Sequence, residues 1–227
     1  MHVTPVYIVC SPRPRVGKTL VARLLTEYLA LETKRVAAYD INLNEPSLVD
    51  FLPRVTETID IFDTRGEMAL MDRLIVDDRV PKVVDLGYPA FEGFFRLIGE
   101  IGFEKEAAVR GIEPIILFMA SNDRAAPRAF SDLRARFPRM LAVPIDNQMM
   151  TFGEAPAEFS SQKPVTIPAL PKFLQSILDR TNFSFVNYLR TNADRTTELD
   201  QWIRFIFHQF REMELNLLLR KLQTSLR

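Results

Sequence analysis

The chain has 227 residues, a length that favours one large domain with an appendage over two complete domains. Its composition, 47% hydrophobic and 26% charged, excludes disordered, collagen-like and disulfide-stabilised classes. Lysine plus arginine total 29 and aspartate plus glutamate total 29, so no overall basic field is available to hold nucleic acid. Any such contact requires a local patch.

The single cysteine, Cys10, excludes an internal disulfide and a cysteine-based zinc site, and it fits a reducing compartment. The first apolar run, residues 6–10, is too short for the core of a signal peptide. No run approaches the roughly 20 apolar residues that span a bilayer. We therefore expect a cytoplasmic protein that does not span a membrane.

Short apolar runs recur along the chain with room for a helix between them, which is typical of buried parallel strands. The runs are 6–10, 35–41, 82–86, 114–120, 140–145 and 165–170. This alternation predicts an α/β fold with a mostly parallel sheet between two layers of helices.

Helical periodicity links these strands. Apolar residues fall on one face of residues 18–32 and again of residues 125–137, where arginines fill the opposite face. From residue 172 the pattern is helical, with a break at 191–197 and a long apolar-rich segment over 198–226. We expect a domain over 1–180 and a helical C-terminal extension over 181–227, packed on the same domain or at a dimer interface.

A phosphate-loop pattern follows the first strand. Gly17-Lys18-Thr19 matches the second half of GxxxxGK[ST], in which glycine allows close backbone approach, lysine binds the β and γ phosphates and the hydroxyl binds Mg²⁺. Pro12 occupies the position of the first glycine. The alternative is a helix N-terminus that contains Lys and Thr without binding phosphate.

The loop from Arg13 to Thr19 resembles the KGGxGK[ST] loop of the ParA/MinD family of deviant P-loop ATPases. Asp40-Ile41-Asn42 is similar to that family's DxD switch, Asp85 to its magnesium-side acidic residue, and residues 165–168 to its late "IP" strand. The resemblance covers about residues 3 to 180. It implies a P-loop fold, ATP and Mg²⁺ as ligands, and a homodimer formed through the phosphate loop.

The resemblance also implies roles for individual residues. Lys18 would bind the β and γ phosphates, Thr19 would ligate Mg²⁺, and Asp40 and Asp85 would hold the waters of the metal. Asn147 would recognise the base. The remaining contacts to the nucleotide would come from Arg15, Val16, Gly17 and Leu20. Each aspartate has an alternative role as the N-cap of a helix or turn, and asparagine is an ordinary turn residue.

The sequence departs from the family pattern in the phosphate loop and in the switch. Arg13 replaces a signature lysine that reaches the partner subunit's nucleotide, and a guanidinium can serve the same neutralising role there. Pro14 removes one backbone N–H, and a positive φ at Arg15 would cost about 1 kcal/mol. Asn42 replaces a catalytic aspartate, and an amide can hold a water but cannot accept its proton. Hydrolysis is therefore expected to be slow or absent.

Two further features suggest partners. A local basic cluster, opposed by Asp132 alone, resembles the DNA-binding surfaces of the family, or is an ordinary solvated helix face. It comprises Arg124, Arg128, Arg134, Arg136 and Arg139. The apolar segment 198–226 is either a helix packed in the core or at a subunit contact, or a membrane-surface helix.

The leading hypothesis is a ParA/MinD-like ATP-binding switch with slow Mg²⁺-dependent hydrolysis, which positions DNA or a cellular assembly, with a protein adaptor among its partners. One alternative is a degenerate relative that keeps the fold as an interaction or localisation module. The other is a small ATP-dependent kinase or ligase of the dethiobiotin-synthetase type.

Overall fold

The fold is built on a seven-stranded sheet in which every neighbouring pair of strands is parallel. The structure is a computed structural model that describes residues 3–42, 47–150, 156–160 and 163–225. The strands are β1 (Thr4–Cys10), β2 (Ala37–Asp40), β3 (Thr56–Thr58), β4 (Lys82–Asp85), β5 (Ile112–Met119), β6 (Leu141–Asn147) and β7 (Val165–Ile167). Their spatial order is β3-β2-β4-β1-β5-β6-β7. All six predicted strands are present, and β3 is the strand that was not predicted.

Helices occupy the connections between the strands. In chain order they are α1 (Lys18–Thr33), α2 (Leu48–Phe51), α3 (Thr64–Leu74), a 3₁₀ turn (Tyr88–Ala90), α4 (Phe91–Glu100), α5 (Phe103–Val109), α6 (Ala125–Arg136), α7 (Ala157–Ser160), α8 (Lys172–Leu178), α9 (Phe185–Thr191) and α10 (Glu198–Ser225). The predicted helices over 18–32, 125–137 and 198–226 correspond to α1, α6 and α10, and the predicted break coincides with the α9–α10 connection.

Two separate apolar cores lie on the two faces of the sheet. One core contains the buried side chains of α3 to α7, and the other contains those of α1, α2 and α8 to α10. Strands β1, β2, β4, β5 and β6 contribute alternate side chains to the two cores, as the period of two requires. In β1, for example, Val6 and Ile8 face the first core and Tyr7 and Val9 face the second. The predicted three-layer α/β fold is confirmed.

The long helix α10 packs on α1 and β7 as part of the second core. Trp202 is buried, and its indole N–H donates to the carbonyl of Pro168 at 2.8 Å. Further along, the carboxylate of Glu214 accepts hydrogen bonds from the hydroxyls of Tyr7 (3.0 Å) and Tyr28 (2.7 Å). These contacts correspond to the core-packing alternative for this segment. Among the described residues, no helix combines the length and hydropathy that a membrane span requires.

Helix α2 is linked to the end of α8 and the residues that follow it through Arg23 of α1. The guanidinium of Arg23 in α1 is buried and stacks 3.7 Å from the ring centre of Phe51. It also donates to the backbone carbonyls of Leu178 (2.8 Å) and Phe183 (3.3 Å). A buried cation of this kind requires such partners, because an unpaired one costs several kcal/mol.

Candidate functional site

The predicted site residues meet at the carboxyl ends of the central strands. Here β1 lies between β4 and β5, and the strands that follow it in sequence are placed first on one side of it and then on the other. The loop 11–17 leaves β1 and leads directly into α1, Asp85 ends β4 and Asp40 ends β2. Asn147 ends β6. In open parallel sheets this crevice is where ligands bind. The structure therefore brings together residues that are up to about 130 positions apart in the sequence.

The loop backbone forms an open cradle at the N-terminus of α1. Gly17 has φ 88° and Arg15 has φ 57°, so the arginine adopts the strained left-handed conformation considered in the sequence. Among the described residues, none accepts a hydrogen bond from the backbone N–H groups of residues 15–20. Donors that converge at a helix N-terminus form a site for an anion such as phosphate.

Gly17 is required by the packing as well as by its φ value. A β-carbon at this position would lie 2.2 Å from Nδ2 of Asn147. That same amide donates to the carbonyl of Val16 at 3.0 Å, and Asn147 is fully buried. Asn147 therefore fixes the loop at Val16 and Gly17 by a direct hydrogen bond and by close packing.

Lys18 lies inside the loop. Its side chain is buried, and its Nζ donates to the carbonyl of Arg13 at 2.8 Å. Burial lowers the pKa of this amine, while the neighbouring Asp85 opposes the shift. A bound polyanion would raise the pKa of Lys18 again, because an opposite charge favours the protonated amine.

Thr19 and Asp85 form the part of the site that fits a divalent cation. The hydroxyl of Thr19 donates to Oδ2 of Asp85 at 2.7 Å, and Oδ1 of Asp85 is buried with no hydrogen-bond partner among the described residues. Burial raises the pKa of Asp85 to about 7; the Thr19 hydrogen bond and Lys18 oppose this rise, and Asp40 adds to it. A nearby cation would stabilise the ionised carboxylate of Asp85 and offset the free-energy cost of burying its charge.

These donors fit the way Mg²⁺ is bound. Magnesium commonly uses one or two protein oxygens and completes its shell with waters and substrate phosphates. The described residues contain no cluster of three or more His, Cys, Asp or Glu side chains that could hold a metal by themselves. Thr19 and Asp85 would therefore hold the ion together with a bound nucleotide, where it would neutralise phosphate charge.

Asp40 is buried, and both of its carboxylate oxygens already bind backbone. Oδ1 accepts from the N–H of Asn42 at 3.0 Å and Oδ2 accepts from the N–H of Val49 at 2.9 Å. Asp40 thus organises the chain on both sides of residues 43–46, which corresponds to the capping alternative. The side-chain amide of Asn42 donates to the hydroxyl of Thr19 at 3.4 Å. Residues 40–42, which resemble the DxD switch, therefore contact the predicted Mg²⁺ ligand Thr19.

Arg13 has a partner that the sequence did not identify. Its Nη2 lies 3.0 Å from Oδ1 of Asp123, in the connection between β5 and α6. The sequence does carry a signal, because Ser121 and Asp123 are typical residues for the start of a helix. Asp123 caps α6, since its Oδ1 accepts from the N–H groups of Ala125 (2.8 Å) and Ala126 (3.1 Å).

The basic cluster is exposed, but its members do not share one face. At 3.6 residues per turn, Arg134 and Arg136 of α6 project about 160° apart. The guanidinium of Arg136 lies over the ring of Phe137 at 5.2 Å, and that of Arg134 lies 5.7 Å from the ring of Phe130. Both guanidinium groups thus lie beside aromatic rings. DNA binding by Arg124, Arg128, Arg134, Arg136 and Arg139 stays a prediction.

Comparisons with known proteins agree with the fold. No protein-family model matches the chain, and no curated protein matches it either. A ParA family ATPase from Chlorobium tepidum TLS is similar in structure, with a TM-score of 0.57 and 13% identity over 89% of this chain and 97% of that chain.

Two other solved structures are similar at lower TM-scores. A nucleotide-binding protein from Archaeoglobus fulgidus, in complex with ADP, has a TM-score of 0.47 and 15% identity over 78% of this chain and 86% of that chain. A chain of the MinC:MinD cell division protein complex from Aquifex aeolicus has a TM-score of 0.48 and 17% identity over 93% and 96%. The fold assignment rests on the first structure: the chain has the ParA-like α/β fold that its sequence predicted.

Proposed function

We propose that the chain is a nucleotide-dependent switch that binds ATP with Mg²⁺ in the cradle formed by residues 13–20. The observation that carries the proposal is that the backbone N–H groups of residues 15–20, at the N-terminus of α1 beside Lys18, have no hydrogen-bond acceptor among the described residues. The triphosphate would accept from these amides, Lys18 would bind the β and γ phosphates, and Thr19 with Asp85 would hold Mg²⁺.

Nucleotide binding is tested by titration calorimetry of the full chain with ATPγS and Mg²⁺. The expected result is saturable binding that Lys18→Ala abolishes and Asp85→Asn weakens when Mg²⁺ is present. Lys105→Ala is the matched control, because Lys105 is an exposed lysine on α5 that lies outside the cradle. Binding that survives Lys18→Ala unchanged would refute this assignment of the site.

The switch would hydrolyse ATP slowly. Asn42 supplies an amide at the position of the family's catalytic aspartate, and both oxygens of Asp40 already accept backbone hydrogen bonds. The site thus offers no evident general base near the Thr19 hydroxyl other than Asp85 among the described residues. These contacts also favour the second candidate function, a module that binds nucleotide without hydrolysing it.

Phosphate release in single-turnover conditions distinguishes the two functions. Slow release that Lys18→Ala removes favours the switch, and release equal to that of buffer favours the non-hydrolysing module. Association is measured separately by sedimentation velocity. We expect ATPγS with Mg²⁺ to convert monomer to dimer, because the loop positions Arg13, Pro14 and Arg15 are all exposed and available to a second copy.

A further inference from the structure

We infer that Asp123 is a positioning residue that competes with the terminal phosphate of the nucleotide for the guanidinium of Arg13. The inference rests on the proposed nucleotide binding and adds to it a contact within the chain that sets the availability of Arg13. The geometric basis is the ion pair of 3.0 Å between Nη2 of Arg13 and Oδ1 of Asp123.

The main chain of Arg13 is anchored in the phosphate loop, independently of its side chain. Its backbone N–H donates to Oγ of Ser11 at 3.1 Å, and its carbonyl accepts from Nζ of Lys18 at 2.8 Å. The side chain is 45% exposed, and Asp123 is its ionic partner among the described residues. Breaking that ion pair therefore frees the guanidinium without disturbing the loop.

Asp123 is fixed by contacts other than Arg13. Its Oδ2 accepts from the hydroxyl of Ser121 at 2.5 Å, and its Oδ1 accepts from the backbone N–H groups of Ala125 and Ala126. The carboxylate therefore stays in place, and keeps its hydrogen bonds, when Arg13 leaves. In this ion pair the carboxylate of Asp123 is held in place and the side chain of Arg13 is free to move, as a releasable contact requires.

The strength of the pair suits release by a nucleotide. Half-exposed ion pairs are weak, and a triphosphate carries more negative charge than one carboxylate and can accept two hydrogen bonds from a guanidinium. An arginine at this position accentuates the competition, because its planar guanidinium binds carboxylate and phosphate in the same geometry. Asp123 thus lowers the affinity for the terminal phosphate by the free energy of the pair.

The test compares wild type, Asp123→Asn, Arg13→Ala and the double variant as full chains, titrated with ATPγS and with ADP in the presence of Mg²⁺. Asparagine is the conservative choice, because it is also a favoured N-cap and retains an acceptor for Ala125 and Ala126. We expect Asp123→Asn to bind ATPγS about two- to fivefold more tightly and to change ADP affinity less. In the Arg13→Ala background the same substitution should have no effect.

Each other outcome overturns the inference in a recognisable way. An equal gain with and without Arg13 means that Asp123 acts only as a nearby negative charge. An unchanged affinity in Asp123→Asn, with wild type binding normally, refutes the competition and leaves nucleotide binding intact. If neither protein binds nucleotide, the proposed function and this inference both fail. Should Asp123→Asn not fold, Asp123→Ser, which also caps helices, replaces it in every comparison.

Discussion

Replacement of Gly17 by alanine should destabilise the protein beyond the effect of its backbone conformation. With φ 88°, an alanine here costs about 1 kcal/mol. The added β-carbon would also lie 2.2 Å from Nδ2 of Asn147, so that amide must move and give up its hydrogen bond to Val16. Such a bond is worth about 0.5–1.5 kcal/mol. The total expected loss is about 2 kcal/mol, measured by urea unfolding.

Gly102 provides a matched control for this prediction. It has φ 65°, and a β-carbon there would meet no atom within 4 Å. Gly102→Ala should therefore show only the backbone cost of about 1 kcal/mol. Equal losses for Gly102→Ala and Gly17→Ala would refute the steric argument. So would strict additivity with Asn147→Ala, because removing the displaced amide should relieve part of the cost of Gly17→Ala.

Three further predictions test other parts of the structure. Cys10 is fully buried and burial raises the pKa of its thiol, so a thiol-disulfide reagent should fail to label the native protein and should label it fully in concentrated guanidinium chloride. Burial raises the pKa of Asp123, but hydrogen bonds from Ser121, Arg13 and the α6 backbone outweigh it and lower the pKa to about 2. This carboxylate therefore stabilises the fold above about pH 4, and the contribution is lost as the pH falls towards 2, so Asp123→Asn should flatten that part of an acid-unfolding curve. Trp202→Phe should cost about 1 kcal/mol in urea unfolding because the Pro168 carbonyl loses its donor, while substitution of the partly exposed Phe205 by leucine should change stability by less than about 0.5 kcal/mol.

The sequence predicted the fold where local patterns and burial agree. The apolar runs at β1, β4 and β5 are buried on both faces, so their composition alone indicates strands. In contrast, β3 has the sequence Thr-Glu-Thr and lies at the edge of the sheet. It forms a strand because it pairs with β2, and its sequence carries no apolar pattern that would indicate one. Helix α3 was not predicted either; its start depends on Asp63, whose carboxylate accepts from the N–H of Gly66 at 2.7 Å.

Within the candidate site, only residues that belong to a local sequence pattern could be predicted. Lys18 and Thr19 follow from the loop pattern, and Asp85 follows from the end of a buried strand. The contact between Arg13 and Asp123 spans 110 positions and depends on β5 lying next to β1, which no local pattern encodes. For Asp40 the sequence predicts the position but not the role, because an aspartate can either hold a metal or accept the backbone hydrogen bonds that are observed.

The two open edges of the sheet limit how the protein can associate. Both edge strands, β3 and β7, are only three residues long, and short edges are poor templates for intermolecular strand pairing. Glu57 places a charge at the centre of β3, and Gln209 of α10 accepts from the N–H of Thr166 in β7 at 3.5 Å. Amyloid-like growth by edge-to-edge addition is thus disfavoured at both ends, and self-association has to use surfaces formed by loops and helices.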